Sequence, residues 1–310
     1  MTSASIVIPS FRGAKRLPRL LAALAAQTSS DWEAIVVIDG DLDGSQQVVH
    51  RYSHLPVRTI VFPENRGRVA ALNAGFEAAM GDILIRCDDD LAPDPGYVER
   101  HVSSHAGAPQ GTIGLYRNVL VPSRYTTVYG QQADALFRSS AYSAPADQRW
   151  HFWAGNVSVT RDTWNRVGGY DPRYRTYGWE DVDYGFRLRE AGIPVILDSS
   201  LETDHHAAAV TTPSRVRRAY HSGEARRLFD QIHRDNASSA ARPADPTVWN
   251  RLVGATADRL TYRRASALAE VVDAAIRGLP APVARKLIAL LVEAAGVAGY
   301  QSAEEVPNDI

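Results

Sequence analysis

Two acidic clusters, far apart in the chain, carry the residue types best suited to chemistry. Asp88-Asp89-Asp90 closely follows the apolar run Ile83-Leu84-Ile85, and Glu180-Asp181 follows Trp179. Adjacent carboxylates repel one another unless a cation lies among them. The second cluster can supply a base that removes a proton from a substrate. Together the clusters predict a metal-assisted group transfer, in which one cluster holds the metal and the other takes the proton.

Length and composition exclude several other classes of protein. The 310 residues suffice for one large domain or two smaller ones, and the net charge of -1 argues against a general nucleic-acid binder. The single cysteine, Cys87, excludes an internal disulfide, indicates a reducing compartment and is expected to be a buried, inert thiol. We find no leader peptide and no apolar run of the roughly 20 residues that a membrane span needs, and therefore expect a cytoplasmic protein.

Alternating apolar segments in the first part of the chain predict the elements that position these clusters. The predicted strands are 5–8, 34–38, 57–61 and 82–87, and the predicted helices between them are 16–27, 45–54 and 67–79. This alternation predicts a mostly parallel sheet with helices on both faces. Ligands bind such sheets beyond the carboxyl ends of the strands, where Asp39 and Asp88-Asp89-Asp90 lie.

The second part of the chain predicts a more mixed structure, followed by helices. The predicted elements are a helix at 94–105, a strand at 112–121, a partly helical insertion at 122–150, a strand at 151–160, a helix at 181–191, a strand at 195–197, helices at 215–234, 247–277 and 281–299, and a proline-bearing linker at 242–246. Val283, Leu287, Leu290, Leu291 and Ala294 share one predicted face of the last helix, which we expect to pack on the domain or on a second copy.

Several motifs, in order, resemble the inverting, nucleotide-sugar-dependent glycosyltransferases of family 2, which have the GT-A fold. The matching segments are Val7-Ile8-Pro9-Ser10-Phe11, Ile38-Asp39-Gly40-Asp41-Leu42-Asp43-Gly44-Ser45, Asn65-Arg66-Gly67, Asp88-Asp89-Asp90, Ala154-Gly155-Asn156-Val157-Ser158, Gly168-Gly169-Tyr170-Asp171 and Gly178-Trp179-Glu180-Asp181. The later segments look especially like bacterial chondroitin polymerase domains and polypeptide N-acetylgalactosaminyltransferases. The resemblance implies a GT-A domain over 1–210, with a nucleotide-binding half at 1–110 and an acceptor-binding half at 111–210, and a helical region over 211–310.

The resemblance also implies roles for individual residues. Asp90 and His205 should bind Mn²⁺ or Mg²⁺, with Asp88 near the metal or the ribose, although the neighbouring His206 is an alternative ligand. Asp39 should accept a hydrogen bond from uracil, which favours a UDP-sugar donor. The remaining nucleotide-sugar contacts are expected from Pro9, Asn65, Gly67 and Asp89. On the acceptor side, Asp181 should be the catalytic base, Glu180 should orient a substrate, and Trp179 and Asn156 should contact sugar.

The implied reaction moves a hexose or N-acetylhexosamine to a hydroxyl of a glycan, a lipid-linked glycan or a natural product. Contact with the inner membrane face and association of copies through the C-terminal helices are compatible with the sequence. A retaining GT-A transferase and a non-catalytic module that binds sugar nucleotides or glycans remain alternatives. Each motif also has a simpler interpretation: Glu180-Asp181 suits the first turn of any helix, and Trp179 suits a core.

His101 and His105 have the spacing of a metal-binding pair on a helix. We interpret them instead as surface histidines, because His50 and His54 show the same spacing without any other sign of a site.

Overall fold

The computed structural model describes residues 3–175, 178–233 and 247–302. Its strands are β1 Ala4–Ser10, β2 Trp32–Ile38, β3 Val57–Val61, β4 Ile83–Cys87, β5 Leu91–Ala92, β6 Gly111–Ile113, β7 Tyr116–Asn118, β8 Asn156–Thr160, β9 Val195–Leu197 and β10 Thr203–His205. Its α-helices are α1 Leu17–Ala25, α2 Ser45–His50, α3 Arg68–Ala78, α4 Tyr97–Ser104, α5 Gln131–Ser143, α6 Arg161–Val167, α7 Glu180–Glu190, α8 Thr212–Ile232, α9 Val248–Ala257, α10 Tyr262–Ala275 and α11 Ala281–Ser302.

A large sheet has the strand order β3-β2-β1-β4-β8-β6-β9. The strands from β3 to β4 are parallel, whereas β8 runs antiparallel to both of its neighbours. The predicted fold class, a mostly parallel central sheet flanked by helices, is therefore confirmed. The carboxyl ends of β1, β2 and β4 lie at one edge, which places the residues that follow them together.

Burial explains why the first half folds as the sequence predicts. Every residue of β2 is buried, as expected for a central parallel strand with both faces covered. Leu17, Leu20, Leu21 and Leu24, which recur at helical spacing, form the buried face of α1. Cys87 is also buried, and burial raises the pKa of its thiol, so the expectation of an inert core thiol is confirmed.

A second, three-stranded sheet has the order β5-β10-β7. Its register sets His205 of β10 opposite both Leu91 and Asn118. The sequence analysis missed this sheet, because strands of two and three residues carry no readable periodicity.

The chain forms two compact units. The first comprises Met1–Val119, Arg138–Arg175 and Asp181–Ala207, and the second comprises Leu120–Phe137, Thr176–Glu180 and Ala208–Ile310. The strands given above all lie in the first unit. Residues 120–137 group with the C-terminal part, rather than with an acceptor half at 111–210, because Tyr125 and Val128 are buried in the same core as the C-terminal helices.

The second unit is built around the packing of α8 against α11. An added Cβ at Gly223 would meet the backbone of Gly296 and Tyr300, and one at Gly299 would meet the backbone of Tyr220. Glycine at these positions lets the two helices approach closely.

Among the described residues, no helix has both the length and the apolar character required to cross a bilayer.

Several element boundaries differ from those predicted. The strand expected over 112–121 is divided into β6 and β7, and residues 151–152, expected to begin a strand, instead end the 3₁₀ helix Ala146–Phe152. The predicted linker at 242–246 lies outside the described residues. The predicted face of α11 is confirmed for Leu291 and Ala294, which are buried, and for Leu287 and Leu290, which pack against the same core, but it was wrong for Val283, which is 52% exposed. Because several neighbouring helices pack around α11, residues beyond a single apolar stripe, such as Ala284 and Ile288, are also buried.

The interpretation of His101 and His105 as surface histidines was also wrong. His101 is fully buried, with Nδ1 at 2.8 Å from Ser158 Oγ and Nε2 at 3.1 Å from Asn156 Oδ1. His105 Nε2 lies 2.8 Å from the same Ser158 hydroxyl. Burial lowers the pKa of His101 to about 3 and that of His105 to about 4. The pair therefore forms a neutral polar core between α4 and β8.

These histidines should make folding sensitive to acid. The unfolded chain binds their protons near the ordinary pKa of 6.5, whereas the folded chain resists protonation until about pH 4 for His105 and about pH 3 for His101. Their contribution is complete above pH 6.5 and is lost as the pH falls toward these values, by up to about 1.4 kcal/mol per pH unit for each histidine. Urea unfolding between pH 7 and pH 4 measures this slope.

The His105→Gln variant should show a shallower loss of unfolding free energy over this range than the unaltered chain. His50→Gln, at an exposed position on α2, is the matched control and should leave the slope unchanged. Equal slopes for all three proteins would contradict the assignment of His105 as a buried neutral group.

Candidate active site

The carboxyl ends of β1, β2 and β4 present the aspartates singled out by the sequence. Pro9 and Ser10 pair with the last two residues of β2, and the Ser10 carbonyl accepts a hydrogen bond from the Asp39 N–H at 2.8 Å. Asp88 begins the turn that follows β4, and its N–H donates to the Gly155 carbonyl at 2.9 Å. Parallel alignment of the strands thus brings Asp39 and the acidic turn to one edge of the sheet.

Asp39 holds the loop that precedes α3. Its two carboxylate oxygens accept the backbone N–H groups of Arg66, at 2.6 Å, and Gly67, at 2.9 Å. Gly67 has a φ of 91°, a conformation that favours glycine, and Asn65 is exposed in the same loop. Each Asp39 oxygen has a second lone pair, so the expected contact with uracil stays a prediction that this loop geometry permits.

Asp89 turns toward the first strand and helix. Its Oδ1 accepts from Arg16 Nε at 2.7 Å, and its Oδ2 accepts from Arg16 Nη2 at 2.8 Å and Ser10 Oγ at 2.6 Å. This bidentate ion pair occupies both oxygens. A guanidinium thus compensates Asp89, and the expected contact of this residue with the nucleotide sugar stays a prediction.

Asp90 and His205 face each other. Asp90 Oδ2 lies 3.4 Å from His205 Nε2, and Asp90 Oδ1 is buried without a hydrogen-bond partner in the described part of the chain. The three-stranded sheet produces this contact, because β10 places His205 beside the strand that follows Asp90. His206 contributes its backbone N–H to the Asp90 carbonyl at 2.9 Å.

The His205 ring is held in place by two neighbouring side chains. Its Nδ1 lies 2.6 Å from Asn118 Oδ1, and the ring stacks on Tyr116 at a centroid distance of 4.8 Å. With the amide oxygen as acceptor, Nδ1 carries the proton and the Nε2 lone pair points at a carboxylate. Two lone pairs at this distance require a proton or a cation between them. Together with the buried Asp90 Oδ1, this donor set suits a divalent cation.

The protein by itself supplies few ligands to such a cation. Within the described residues, no group of three or more histidine, cysteine, aspartate or glutamate side chains is arranged to hold a metal ion. Mg²⁺ and similar ions are commonly held by one or two protein ligands, with waters and substrate phosphates completing the shell. Asp90 and His205 fit that pattern.

Arg86 joins the acidic turn to α7. Its Nε and Nη2 donate to the two oxygens of Asp88, at 2.9 and 3.3 Å, and its Nη1 donates to Asp181 Oδ1. Burial by itself would lower the pKa of Arg86, but Asp181 and Asp88 raise it well above the ordinary value. Burial opposes ionisation of Asp88 too, yet Arg86 holds the pKa of that carboxyl below its usual range. The structure thus brings Asp88 and Asp181 to one guanidinium.

The chain enters α7 through two residues of positive φ, Gly178 at 92° and Trp179 at 59°. A bulky residue is rarely found in this conformation. Glu180 and Asp181 then occupy the start of the helix, where negative charge is favoured. The division between the two units passes between these residues, and only Asp181 belongs to the unit that contains Asp90.

The two predicted sugar contacts are placed differently. Trp179, in the second unit, donates its indole N–H to Ser222 Oγ at 3.1 Å, and its ring lies 5.1 Å from that of Phe229. Asn156 is fully buried, and its amide N–H group donates to the Leu201 carbonyl at 2.8 Å. A side chain so enclosed offers no atom to an acceptor sugar, and Asn156 is better explained as a link from β8 to Leu201 and to Thr203 of β10.

Sequence reasoning missed the partners of the predicted residues. Arg86, Arg16, Asn118 and Tyr116 were not singled out. Of these four, only Arg86 could have been identified from the sequence. It follows the apolar run Ile83-Leu84-Ile85 in a buried strand, and a buried arginine needs a carboxylate partner.

Two family models match parts of the chain. Residues 5–143 match the family described as glycosyl transferase family 2, and residues 135–207 match the N-terminal domain of galactosyltransferase. The second match covers β8, α7 and β10, and therefore both Asp181 and His205.

Among curated proteins, validoxylamine A glucosyltransferase of Streptomyces hygroscopicus subsp. jinggangensis is 32% identical over 221 residues, covering 62% of this chain and 52% of that protein. The undecaprenyl-phosphate 4-deoxy-4-formamido-L-arabinose transferase of Pseudomonas fluorescens Pf-5 is 28% identical over 203 residues, covering 63% and 53%. The chain thus aligns with about half the length of these relatives.

Solved structures show a shared fold. The mannosyltransferase PcManGT of Pyrobaculum calidifontis, in complex with GDP-Man and Mn²⁺, has a TM-score of 0.63 at 18% identity, covering 96% of this chain and 87% of that one. TarS 1-349 of S. aureus in complex with UDP-GlcNAc has a TM-score of 0.54 at 13% identity, covering 94% and 90%. The sheet order, the motif register and these matches lead to one conclusion: residues 5–143 form a glycosyl transferase family 2 domain, and the chain has the GT-A fold.

Proposed function

We propose that this protein is a metal-dependent, inverting glycosyltransferase that moves a hexose or N-acetylhexosamine from a UDP-sugar to an acceptor hydroxyl. The observation that carries the proposal is the facing pair of Asp90 and His205 at the end of β4, with Asp181 joined to the same strand through Arg86. Relatives named as transferases of glucose and of a modified arabinose support the reaction class.

The donor would lie at the carboxyl ends of β1, β2 and β4. Pro9, Asp39, Asn65 and Gly67 would line the nucleoside, and the acidic turn would face the diphosphate. Asp90 and His205 would hold Mn²⁺ or Mg²⁺, with Asp88 beside them. When bound, such a cation neutralises the negative charge that develops on the leaving diphosphate.

On the acceptor side, Asp181 would act as the general base. The acceptor oxygen forms its bond to the anomeric carbon while the bond from that carbon to the diphosphate oxygen breaks. The hydroxyl proton passes to the Asp181 carboxylate, and the nucleoside diphosphate leaves with the bonding electron pair. Attack from the face opposite the leaving group inverts the anomeric centre. Glu180, one residue earlier on α7, would orient a substrate.

The choice of acceptors to test rests on the relatives rather than on the site. The names of the two relatives refer to validoxylamine A and to undecaprenyl phosphate. Acceptors of both kinds, together with free glycans, therefore belong in the first panel of assays. A lipid-linked acceptor would bring the protein to a membrane surface.

Removal of divalent cations should abolish turnover. Release of nucleoside diphosphate from a panel of UDP- and GDP-sugars, before and after EDTA and after addition of MnCl₂, measures this dependence. His205→Asn should raise the Mn²⁺ concentration for half-maximal rate at least about tenfold. Loss of a residue that only hydrogen-bonds to a metal ligand already lowers metal affinity about 10–100-fold.

His206→Asn is the matched control and should leave the Mn²⁺ requirement unchanged, because the recorded contact of His206 with Asp90 uses its backbone N–H. Full turnover in EDTA would remove the metal from the proposal. Nucleotide binding without turnover on every acceptor would favour a binding module.

Asp181→Asn should lower kcat by about 10²–10⁴-fold and change the KM of the donor little, because an amide cannot accept the proton. Asp162→Asn makes the same change in the first turn of α6, at an exposed position, and should leave kcat unaltered.

The anomeric proton of the product, observed by NMR, should report the configuration opposite to that of the donor. A product of retained configuration would identify a retaining transferase, and an unchanged kcat for Asp181→Asn would remove this residue as the base.

A further inference from the structure

Arg86 is the largest side chain that is fully buried in the described structure. It lies within β4, where its register partners are Val7 of β1 and Val157 of β8. Its Cζ lies 5.7 Å from the centre of the Tyr170 ring, so one face of the guanidinium is covered by an aromatic ring. Charged side chains are rarely buried in a central strand, which indicates that this one has a specific task.

The physical cost of this burial is met by two carboxylates. A guanidinium does not lose its proton in a protein, so it must be compensated by partners where it is buried. Asp88 takes the Nε and Nη2 side of the fork, and Asp181 takes Nη1. Because the fork is planar and rigid, it fixes the directions of both carboxylates relative to each other.

The two carboxylates come from distant parts of the sequence. Asp88 belongs to the turn after β4, whereas Asp181 lies 95 positions beyond Arg86, at the start of α7. Asp88 is held further by its N–H bond to Gly155, where any side chain would collide with the Asp88 carboxylate and the Tyr116 hydroxyl. The turn is therefore fixed. Because Arg86 bonds to both Asp88 and Asp181, it also fixes the start of α7 relative to this turn.

We propose that Arg86 is a positioning residue that sets the Asp181 carboxylate against the acidic turn, and so couples the base to the donor side of the site. The inference rests on the proposed role of Asp181 as the base. Arg86 is given no contact with substrate; it acts through the carboxylate of Asp181, to which its Nη1 donates. Since small displacements of a catalytic group can cost about 10²-fold in rate, a rigid link of this kind has a measurable effect.

The test is a double-mutant cycle with Arg86→Lys and Asp181→Asn. Lysine keeps the charge but lacks the fork, so it cannot hold both carboxylates in the observed directions. We expect Arg86→Lys to lower kcat about 10–100-fold, with the donor KM and the affinity for UDP and Mn²⁺ changed by less than about threefold. In the Asp181→Asn background, the same change should alter kcat by less than about twofold, because the base is already lost.

Arg161→Lys is the matched control. Arg161 donates to the carbonyls of Ala79 and Gly81, which precede β4 and lie far from the acidic turn along the strand. This variant should show a comparable loss of thermal stability without a change in kcat. If Arg86→Lys does not yield folded protein, Arg86→Gln takes its place in the cycle, and failure of both to fold assigns Arg86 to the scaffold and overturns the inference.

The remaining outcomes separate this inference from the proposed function. Arg86→Lys with unchanged kcat, or with the same loss in both backgrounds, overturns the positioning role while leaving Asp181 as the base. An Asp181→Asn variant of full activity instead removes the proposed base, and the role of Arg86 falls with it.

Discussion

The structure depends on compensating several carboxylates gathered at one edge of a sheet. Asp39, Asp88, Asp89 and Asp90 follow strand ends that parallel pairing brings together, and Asp181 is added from α7. Negative charges so placed oppose folding unless each finds a partner. Backbone N–H groups compensate Asp39, and guanidinium groups compensate Asp88, Asp89 and Asp181. Asp90 differs from the others, because it faces a histidine and no guanidinium contact is seen for it in the described chain.

This distribution of partners separates structural from chemical roles among three consecutive aspartates. Asp89 is tied to β1 and α1 by Arg16 and Ser10, and it stabilises the turn. Asp88 is tied to Arg86, and it shares that cation with Asp181. Asp90 has one oxygen near His205 and another that is buried without a partner in the described chain. The three consecutive aspartates therefore differ in role. Asp90 is the candidate metal ligand, Asp88 is joined to Asp181 through Arg86, and Asp89 stabilises the turn.

The buried histidines show how the same sheet holds its second half in place. His101 and His105 both contact Ser158, and His101 also contacts Asn156, whose amide reaches Leu201. This polar network connects α4 and β8 to the segment that leads into β10. It therefore supports β10, the strand that carries His205, because the Asn156 amide also lies 3.2 Å from Thr203 Oγ1. Residues that look like a metal pair by spacing thus serve to place the actual candidate ligand.

The sequence by itself determined the first half of the fold. Its strands are continuous apolar runs and its helices show clear apolar periodicity, so both their type and their buried faces can be predicted. It also indicated Asp90, Asp181 and His205 through a family resemblance, and the parallel sheet explained why acidic residues at strand ends should meet. Only the tertiary structure decided which side chains contact Asp90, Asp181 and His205. The three-stranded sheet that places His205 consists of segments too short to show a period. The link from Arg86 to Asp181 spans 95 positions, and a single sequence contains no local signal for a contact between residues so far apart.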